Sequence, residues 1–296
     1  MRELPCPVLA QRTTIRLGGT AIAELVPENE DDVFLLPERL RSLGGEPFVM
    51  GAGSNILAQD GELPLVLVRP AMSQGPEILG EQNDIVLVRA GCAVPMPRLL
   101  RFCAANGLSG LEGLVGIPGT VGGAVAMNAG SFGTQTCEKL LSFKALVDNS
   151  LRTVTAADMH YGYRSLKIFE TISKFLVLEA TFGLTRAPRG GIDNRMSFNF
   201  FEKKSRQPVT AKSAGCIFKN PVTGVSAGKL LDQAGFRGKR LGGMAFSELH
   251  ANFLINEGKG KAEAAMTLIA EAQEAVLKQS GHRLELEVRV VPWPRA

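Results

Sequence analysis

Tryptophan occurs once, tyrosine twice and histidine three times in the 296 residues, and aromatic side chains make up only 6% of the chain. The histidines (His160, His250, His282) and the five cysteines (Cys6, Cys92, Cys103, Cys137, Cys216) fall at irregular intervals with no Cys-x-x-Cys pair. That spacing gives no zinc-ligand pattern, and an odd number of thiols argues against a disulfide framework, so no metal site is expected. No apolar run approaches the roughly 20 residues that cross a bilayer, and the opening "MRELPCPVLAQRTTIRLGG" lacks the apolar stretch of a secretory signal; a cytoplasmic protein without membrane contact is expected. Excess charge is also scarce. Against 29 Asp plus Glu stand 33 Lys plus Arg, a net +4 too small and too dispersed for a nucleic-acid surface but compatible with small anionic ligands. With 45% hydrophobic and 21% charged residues the chain reads as a globular protein, long enough for two or three domains. No repeat or low-complexity segment is visible, and a monomer is the expectation.

Apolar periodicity organises the chain. Residues 21 to 69 read as a small α/β unit: "AELV", a helix near "ENEDDVFLLPERLRSLGG", then "PFVM" and "LPLVLVR". From 84 to 184 the runs "DIVLVRAG", "LLSFKALVDN" and "FLVLEATFGL" predict strands, and "MPRLLRFCAANGL" predicts a helix, together a larger α+β unit. Proline, glycine and charge collect in "TRAPRGGID", which sets an expected boundary near 190. Beyond it, "SAGKLLDQAG" is a short helix stopped by Gly235, and "KAEAAMTLIAEAQEAVLKQSG" is a long one with Ala265, Ile269, Ala272 and Val276 on one face. The run "RLELEVRVV" predicts a strand that turns Leu284, Leu286, Val288 and Val290 one way and Glu285, Glu287 and Arg289 the other. Taken alone, that polar face reads as a solvated strand face with an ordinary ion pair.

Glycine, by contrast, is plentiful, with 33 in the chain. The loop "MGAGSNIL" can aim several backbone N–H groups at an anion, but it is neither a Walker loop nor a Gly-x-Gly-x-x-Gly turn. The second loop, "GLEGLVGIPGTVGGAVAMNAGSFG" at 110 to 133, holds eight glycines among small and apolar residues. The irregular interval excludes collagen, and the interleaved Leu, Val, Ile and Met exclude a solvated linker. What fits is ordered backbone wrapped round a large flat or pyrophosphate-bearing ligand. The stretch "SAGCIFKNP", residues 213 to 221, sets a lone cysteine after small residues and ends on a proline stop. Cys216 is therefore either a thiol presented at a tight ligand site or a small buried hydrophobe.

Seven motifs in order, "GAGSNIL", "GLEGLVGIPGTVGGAVAMNAG", "YGYRS", "SAGCIFKNP", "AGKLLDQAGFRG", "SELHANFLIN" and "LELEVR", together resemble the UDP-N-acetylenolpyruvoylglucosamine reductase (UDP-N-acetylmuramate dehydrogenase) family over about residues 14 to 291. The likeness is to its shorter subgroup, without the extra tyrosine-bearing loop after "YGYR". It implies an α+β fold: a two-part FAD-binding region of the vanillyl-alcohol-oxidase-like (PCMH-type) kind plus a separate α+β substrate domain. The implied divisions are 1–70 as the first FAD subdomain, joined by a C-terminal strand at 283–296, then 71–189 as the second, and 190–282 as the substrate domain. The implied chemistry is NADPH-dependent, FAD-mediated reduction of an enolpyruvyl UDP-sugar to UDP-N-acetylmuramate for peptidoglycan. On this resemblance FAD is held by Gly51, Ala52, Gly53, Ser54, Asn55 and Ile56, by Gly116, Ile117, Pro118, Gly119, Thr120, Gly122 and Gly123, and by Asn128, Ala129 and Gly130.

Hydride addition to the enolpyruvyl group leaves negative charge next to its carboxylate, which must be stabilised and then protonated. By resemblance Arg164 stabilises that charge, Glu287 assists, and position 216 gives the proton. Most members carry serine there; this chain has Cys216, whose reference pKa of about 8.5 makes it a far stronger acid than a hydroxyl. A nearby cation such as Lys219 would lower that value further and expose the thiol to oxidation. Tyr163, Arg206, Lys219, Asn220, Arg237 and His250 match substrate-contact positions, although His250 reads equally as a core histidine and Arg237 as a surface charge. Two other readings stay open: an alcohol or sugar oxidase on the same FAD scaffold, which has no need of a thiol acid, and a flavin-binding module that has lost its chemistry.

Overall fold

The computed structural model describes residues 1–172, 174–222 and 224–292; the last four residues of the expected 283–296 strand lie outside it. By contact density the chain divides into two compact units: residues 1–4, 24–51 and 67–203, and residues 5–23, 52–66 and 204–296. Residues 1–70 are thus shared between both, and two of the divisions fall inside the strands Thr20–Val26 and Glu62–Val68.

In the first unit α1, Glu30–Leu43, starts on Asn29, whose side chain accepts the Asp32 N–H, and stops at Gly44 in the left-handed region. The main sheet runs Ser150–Thr155, Leu140–Val147, Leu176–Arg186, Ile85–Gly91, Glu77–Gln82, antiparallel throughout. The three apolar runs expected between 84 and 184 are its three central strands, and they bury Val86, Val88, Phe143, Ala145, Ala180 and Phe182. Helix α2, Met96–Ala105, and the short α3, Val121–Ala126, follow, the latter inside the glycine-rich segment. Helix α4, Arg189–Arg206, runs through the Pro/Gly segment where a boundary was expected. Pro188 precedes its first turn, where a missing N–H costs nothing, and Gly190 and Gly191 sit in that turn. The compact units part instead between Lys203 and Lys204.

The second unit is built on the sheet Ser213–Cys216, Phe253–Asn256, Met244–Phe246, Arg240–Leu241, covered by α5, Ala227–Gln233, and α6, Ala262–Ser280. As the periodicity predicts, Ala265, Ile269, Ala272 and Val276 of α6 are buried, packed with Phe218, Leu231 and Phe246 in one core. Lys261 gives α6 no side-chain cap; the Asp60 carboxylate accepts the Ala262 N–H at 2.8 Å in its place. The predicted strand at 283–291 is regular only over Arg289–Val291, which pairs parallel with Ile56–Ala58. Its inside-outside alternation holds: Leu284, Val288 and Val290 are buried, Leu286 and Glu287 half-buried, Glu285 and Arg289 exposed.

One buried carboxylate fixes the entry to the glycine-rich segment. Glu112 accepts from Arg195 Nη2 of α4 at 2.6 Å, from Ser109 Oγ at 2.7 Å and from the Gly110 N–H at 2.7 Å. Burial pushes its pKa up, but Arg195, Ser109 and the backbone N–H groups outweigh burial and hold it below the usual carboxylate range. A depressed folded pKa stabilises above the unfolded value of about 4.3, and that stability is lost as pH falls through the folded value. Arg195→Met is therefore expected to cost about 1–2 kcal/mol at pH 7, measured by urea unfolding. The deficit should shrink towards pH 3; an equal deficit at both pH values would show that Arg195 acts through packing and not through the Glu112 charge.

Candidate active site

Within the first unit Gly51 lies against the second glycine-rich loop: a Cβ placed on it would lie 2.5 Å from Thr120 Oγ1. Gly53, at φ +67°, runs so close under the Arg12 carbonyl that a Cβ would come within 2.2 Å of its oxygen. Along the two loops Ala52 and Pro118 are exposed. Gly51, Ser54, Asn55, Gly116, Ile117, Gly119, Thr120, Gly122, Gly123, Ala129 and Gly130 are half-buried, and Gly53, Ile56 and Asn128 are buried. The adjacent Gly122 and Gly123 differ in kind. A Cβ on Gly122 would lie 2.8 Å from the Cys92 Cβ, whereas one on Gly123 meets only Thr120 Oγ1, at 3.7 Å. Gly122 thus serves helix packing, and Gly123 faces open space of the sort a flat ligand needs.

Asn128 is a strut. Completely buried and at φ +45°, it donates from Nδ2 to Gln135 Oε1 and to the Gly162 carbonyl, both at 2.8 Å, and its Oδ1 accepts the Cys137 N–H at 3.0 Å. Gly162 closes the antiparallel pair Met159–Gly162 and Ser165–Ile168, so that Tyr163 and Arg164 form a two-residue hairpin turn. Arg164 sits at φ +55°, a left-handed conformation that costs a side-chain-bearing residue on the order of 1 kcal/mol or more and that collects at functional sites. Its guanidinium stacks 4.9 Å from the Tyr163 ring centroid, and its Nη1 would lie 3.3 Å from a Cβ on Gly130. The first unit therefore gathers Tyr163, Arg164, Asn128 and Gly130.

In the second unit the small residues before Cys216 have a specific use. Ser213 pairs with Ile255 and Cys216 with Phe253, so one extra residue is accommodated, and Gly215 at φ +79° absorbs it as a bulge. The bulge re-aims Cys216. Its thiol is half-buried, whereas Cys92, Cys103 and Cys137 are buried and burial pushes each of their pKa values up to about 12. After Cys216 the chain runs against the "LELEV" segment: the Glu287 N–H donates to the Ile217 carbonyl at 2.8 Å and the Lys219 N–H to the Glu285 carbonyl at 2.9 Å. Glu287 is thus bonded to the residue that follows Cys216. Asn252, which the sequence reading passed over inside "SELHANFLIN", braces the same stretch: the amide donates to the Phe218 carbonyl at 2.8 Å and accepts the Phe218 N–H at 2.9 Å. The signal was an amide between a histidine and an apolar strand.

Of the other expected substrate residues, Arg206 is exposed at the end of α4 and Lys219 has the Glu285 carboxylate at 3.6 Å. Asn220 accepts the Ala227 N–H at 3.0 Å and so caps α5. Arg237 holds Asp232 at 2.6 and 2.8 Å and the Glu248 carbonyl at 2.6 Å. His250 accepts the Asn252 N–H at Nδ1, 3.2 Å away, and burial lowers its pKa, so the ring is neutral at pH 7.

Two family models match the chain, one described as FAD binding domain over residues 21–150 and one as UDP-N-acetylenolpyruvoylglucosamine reductase, C-terminal domain, over 207–291. The UDP-N-acetylenolpyruvoylglucosamine reductase of Nitratidesulfovibrio vulgaris is 50% identical over 294 residues, 99% of either chain. The chain belongs to the UDP-N-acetylenolpyruvoylglucosamine reductase family. A second member, from Oleidesulfovibrio alaskensis, is 49% identical over 97% of each chain. The crystal structure of the Thermus caldophilus enzyme superimposes with a TM-score of 0.81 at 30% identity, covering 98% of both chains. The expected α+β FAD-binding architecture with its separate C-terminal domain is thereby borne out. The glycine geometry fits an FAD cradle of this family: the loops present backbone, and Gly123 leaves room where a side chain would intrude.

Gly122→Val and Gly123→Val should accordingly separate. The first is expected to unfold or lose much of its stability, the second to fold with a near-normal melting temperature yet bind little flavin. Full flavin content in Gly123→Val, read from visible absorbance, would remove that residue from the cradle.

Proposed function

We propose that this protein uses NADPH and FAD to reduce the enolpyruvyl ether of UDP-N-acetylenolpyruvoylglucosamine, giving UDP-N-acetylmuramate for peptidoglycan, in the cytoplasm and as a monomer. Bound FAD supplies a two-electron relay between NADPH and the vinylic carbon. The chain's own side chains bind the substrate, balance the charge and deliver the proton. The observation that supports this reading most is that Cys216, turned out by the Gly215 bulge, is followed directly by Ile217, whose carbonyl accepts the Glu287 N–H.

The roles divide by unit. Arg164, held in its strained turn and stacked on Tyr163, offers a permanent cation to the substrate carboxylate, so that negative charge developing beside that carboxylate is stabilised. Cys216 keeps a proton on Sγ and gives it to the carbon adjacent to the carboxylate, leaving a thiolate that solvent reprotonates. Glu287 assists from the neighbouring C-terminal segment. Arg206 and Lys219 serve the diphosphate, with Tyr163 and Asn220 as further contacts. Arg237 reaches the diphosphate only by giving up its Asp232 pair. His250, neutral with its Nδ1 accepting, presents a proton on Nε2 as a hydrogen-bond donor.

A two-step anaerobic experiment tests the reading: NADPH bleaches the flavin, and the enolpyruvyl UDP-sugar restores its colour. Failure of the second step with active substrate would overturn the function. Arg164→Met and Glu287→Gln are expected to slow the second step by about 10² to 10³ each while sparing the first. Cys216→Ser, the common family residue, should keep substantial activity, and Cys216→Ala should bleach normally but stall on substrate. Rapid recolouring of Cys216→Ala would assign the proton to another group.

A further inference from the structure

Glu287 is held at its backbone by contacts that its role in the reaction does not require. Its N–H is taken by the Ile217 carbonyl at 2.8 Å, next to Cys216. Its carbonyl is taken by the side chain of Asn55, whose Nδ2 donates at 2.9 Å across 232 residues of sequence. The Asn55 carbonyl also accepts the Arg289 N–H at 3.0 Å, so Asn55 grips the C-terminal segment at two points, one on Glu287 and one two residues beyond it. Asn55 itself cannot drift far. Ile56, next in sequence, is buried in the parallel pair with Arg289–Val291, and Gly53 is wedged under Arg12.

We infer that Asn55, in the glycine-rich loop expected to hold the cofactor, is a positioning residue for Glu287: its amide fixes the peptide from which the Glu287 carboxyl projects. The physical reason is one of degrees of freedom. A side chain on an irregular segment is aimed only as well as the two peptides flanking it, and 285–288 lies outside regular strand. The Ile217 bond fixes the N-terminal peptide. The C-terminal peptide, between Glu287 and Val288, is held at its N–H by a longer bond, Val288 to the same Ile217 carbonyl at 3.4 Å, so loss of the Asn55 bond lets its carbonyl tilt about that anchor, and the carboxyl moves with it. A misplacement of about 1 Å is enough to cost on the order of 10²-fold in rate. The amide is also the group such a task demands, because Asp in its place would set a carboxylate oxygen against the Glu287 carbonyl.

The inference rests on the role proposed for Glu287, and the test keeps the two apart. Glu287→Gln alone examines that role. Asn55→Asp, in the full-length flavoprotein, examines the strut through four readouts: flavin content, urea midpoint, rate of bleaching by NADPH, and rate of recolouring by the enolpyruvyl UDP-sugar. With FAD saturating and both rates read per bound flavin, the expected result is recolouring slowed about 10- to 100-fold more than bleaching, and a double variant Asn55→Asp/Glu287→Gln no slower in recolouring than Glu287→Gln alone. Such non-additivity is the mark of one residue acting through another. Should Asn55→Asp give no folded protein, Asn55→Ala removes the donor without adding charge and is read in the same way. Wild-type recolouring per bound flavin, equal slowing of both steps, a variant that takes up no flavin at saturating FAD, or a double variant in which the two losses multiply would each overturn the inference.

Discussion

Backbone that runs through a protein interior as neither helix nor sheet must still find a partner for every N–H and C=O, because an unpaired buried group costs about 1–3 kcal/mol. This protein meets that constraint with a few buried polar side chains. Glu112 takes the amide at the entry to the glycine-rich segment, Asn128 its far end, and Asn252 both sides of Phe218. Asn256 joins two loops, donating to the Ile15 and Arg16 carbonyls and accepting the N–H groups of Gly258 and Gly260. Each of these residues stands where a strand neighbour would otherwise be. Glycine lets the chain come close enough for such contacts, and the amides then remove the freedom that glycine brings.

The same economy explains how candidate catalytic groups are aimed. Arg164 lies on a two-residue turn whose preceding residue is tied by Asn128, Cys216 follows a one-residue bulge, and Glu287 projects from an irregular segment pinned at its peptide groups. Arg164 and Glu287 lie outside regular elements, and Cys216 is the last residue of its strand. Regular strand would fix their directions by pleat alone, and a departure from the pleat is what lets a side chain face a ligand instead of a sheet face.

Periodicity made the elements with strong patterns readable: α1, α6, the three central strands of the larger sheet, and the alternation at 284–290. It failed where tertiary context overrode composition. Pro188, Gly190 and Gly191 look like a linker, yet α4 begins there because Ile192 is buried and Arg195 reaches Glu112. The division between units was hard to read from composition, since apart from the break between Gly51 and Ala52 it cuts strands and a helix and not loops. The candidate site was legible through motifs, but their physical content was not. "SAGC" concealed a bulge, "YGYRS" a hairpin, and the tie between Asn55 and Glu287 spans too much sequence for any local pattern to register.

The composition of the second unit bears on how the chain is made. Its three pieces, 5–23, 52–66 and 204–296, are brought together by long-range contacts such as Asp60 capping α6 and Ile56–Ala58 pairing with Arg289–Val291. During synthesis the first two pieces leave the ribosome long before their partners exist. They must wait, apolar residues such as Ile15, Leu17 and Leu57 included, until the strand Arg289–Val291 has been added. The 24–51 and 67–203 stretches face no such delay. A nascent chain of this protein therefore passes through a prolonged stage in which early-emerging hydrophobic segments need shelter, and premature termination anywhere in the last helix strands them without a core.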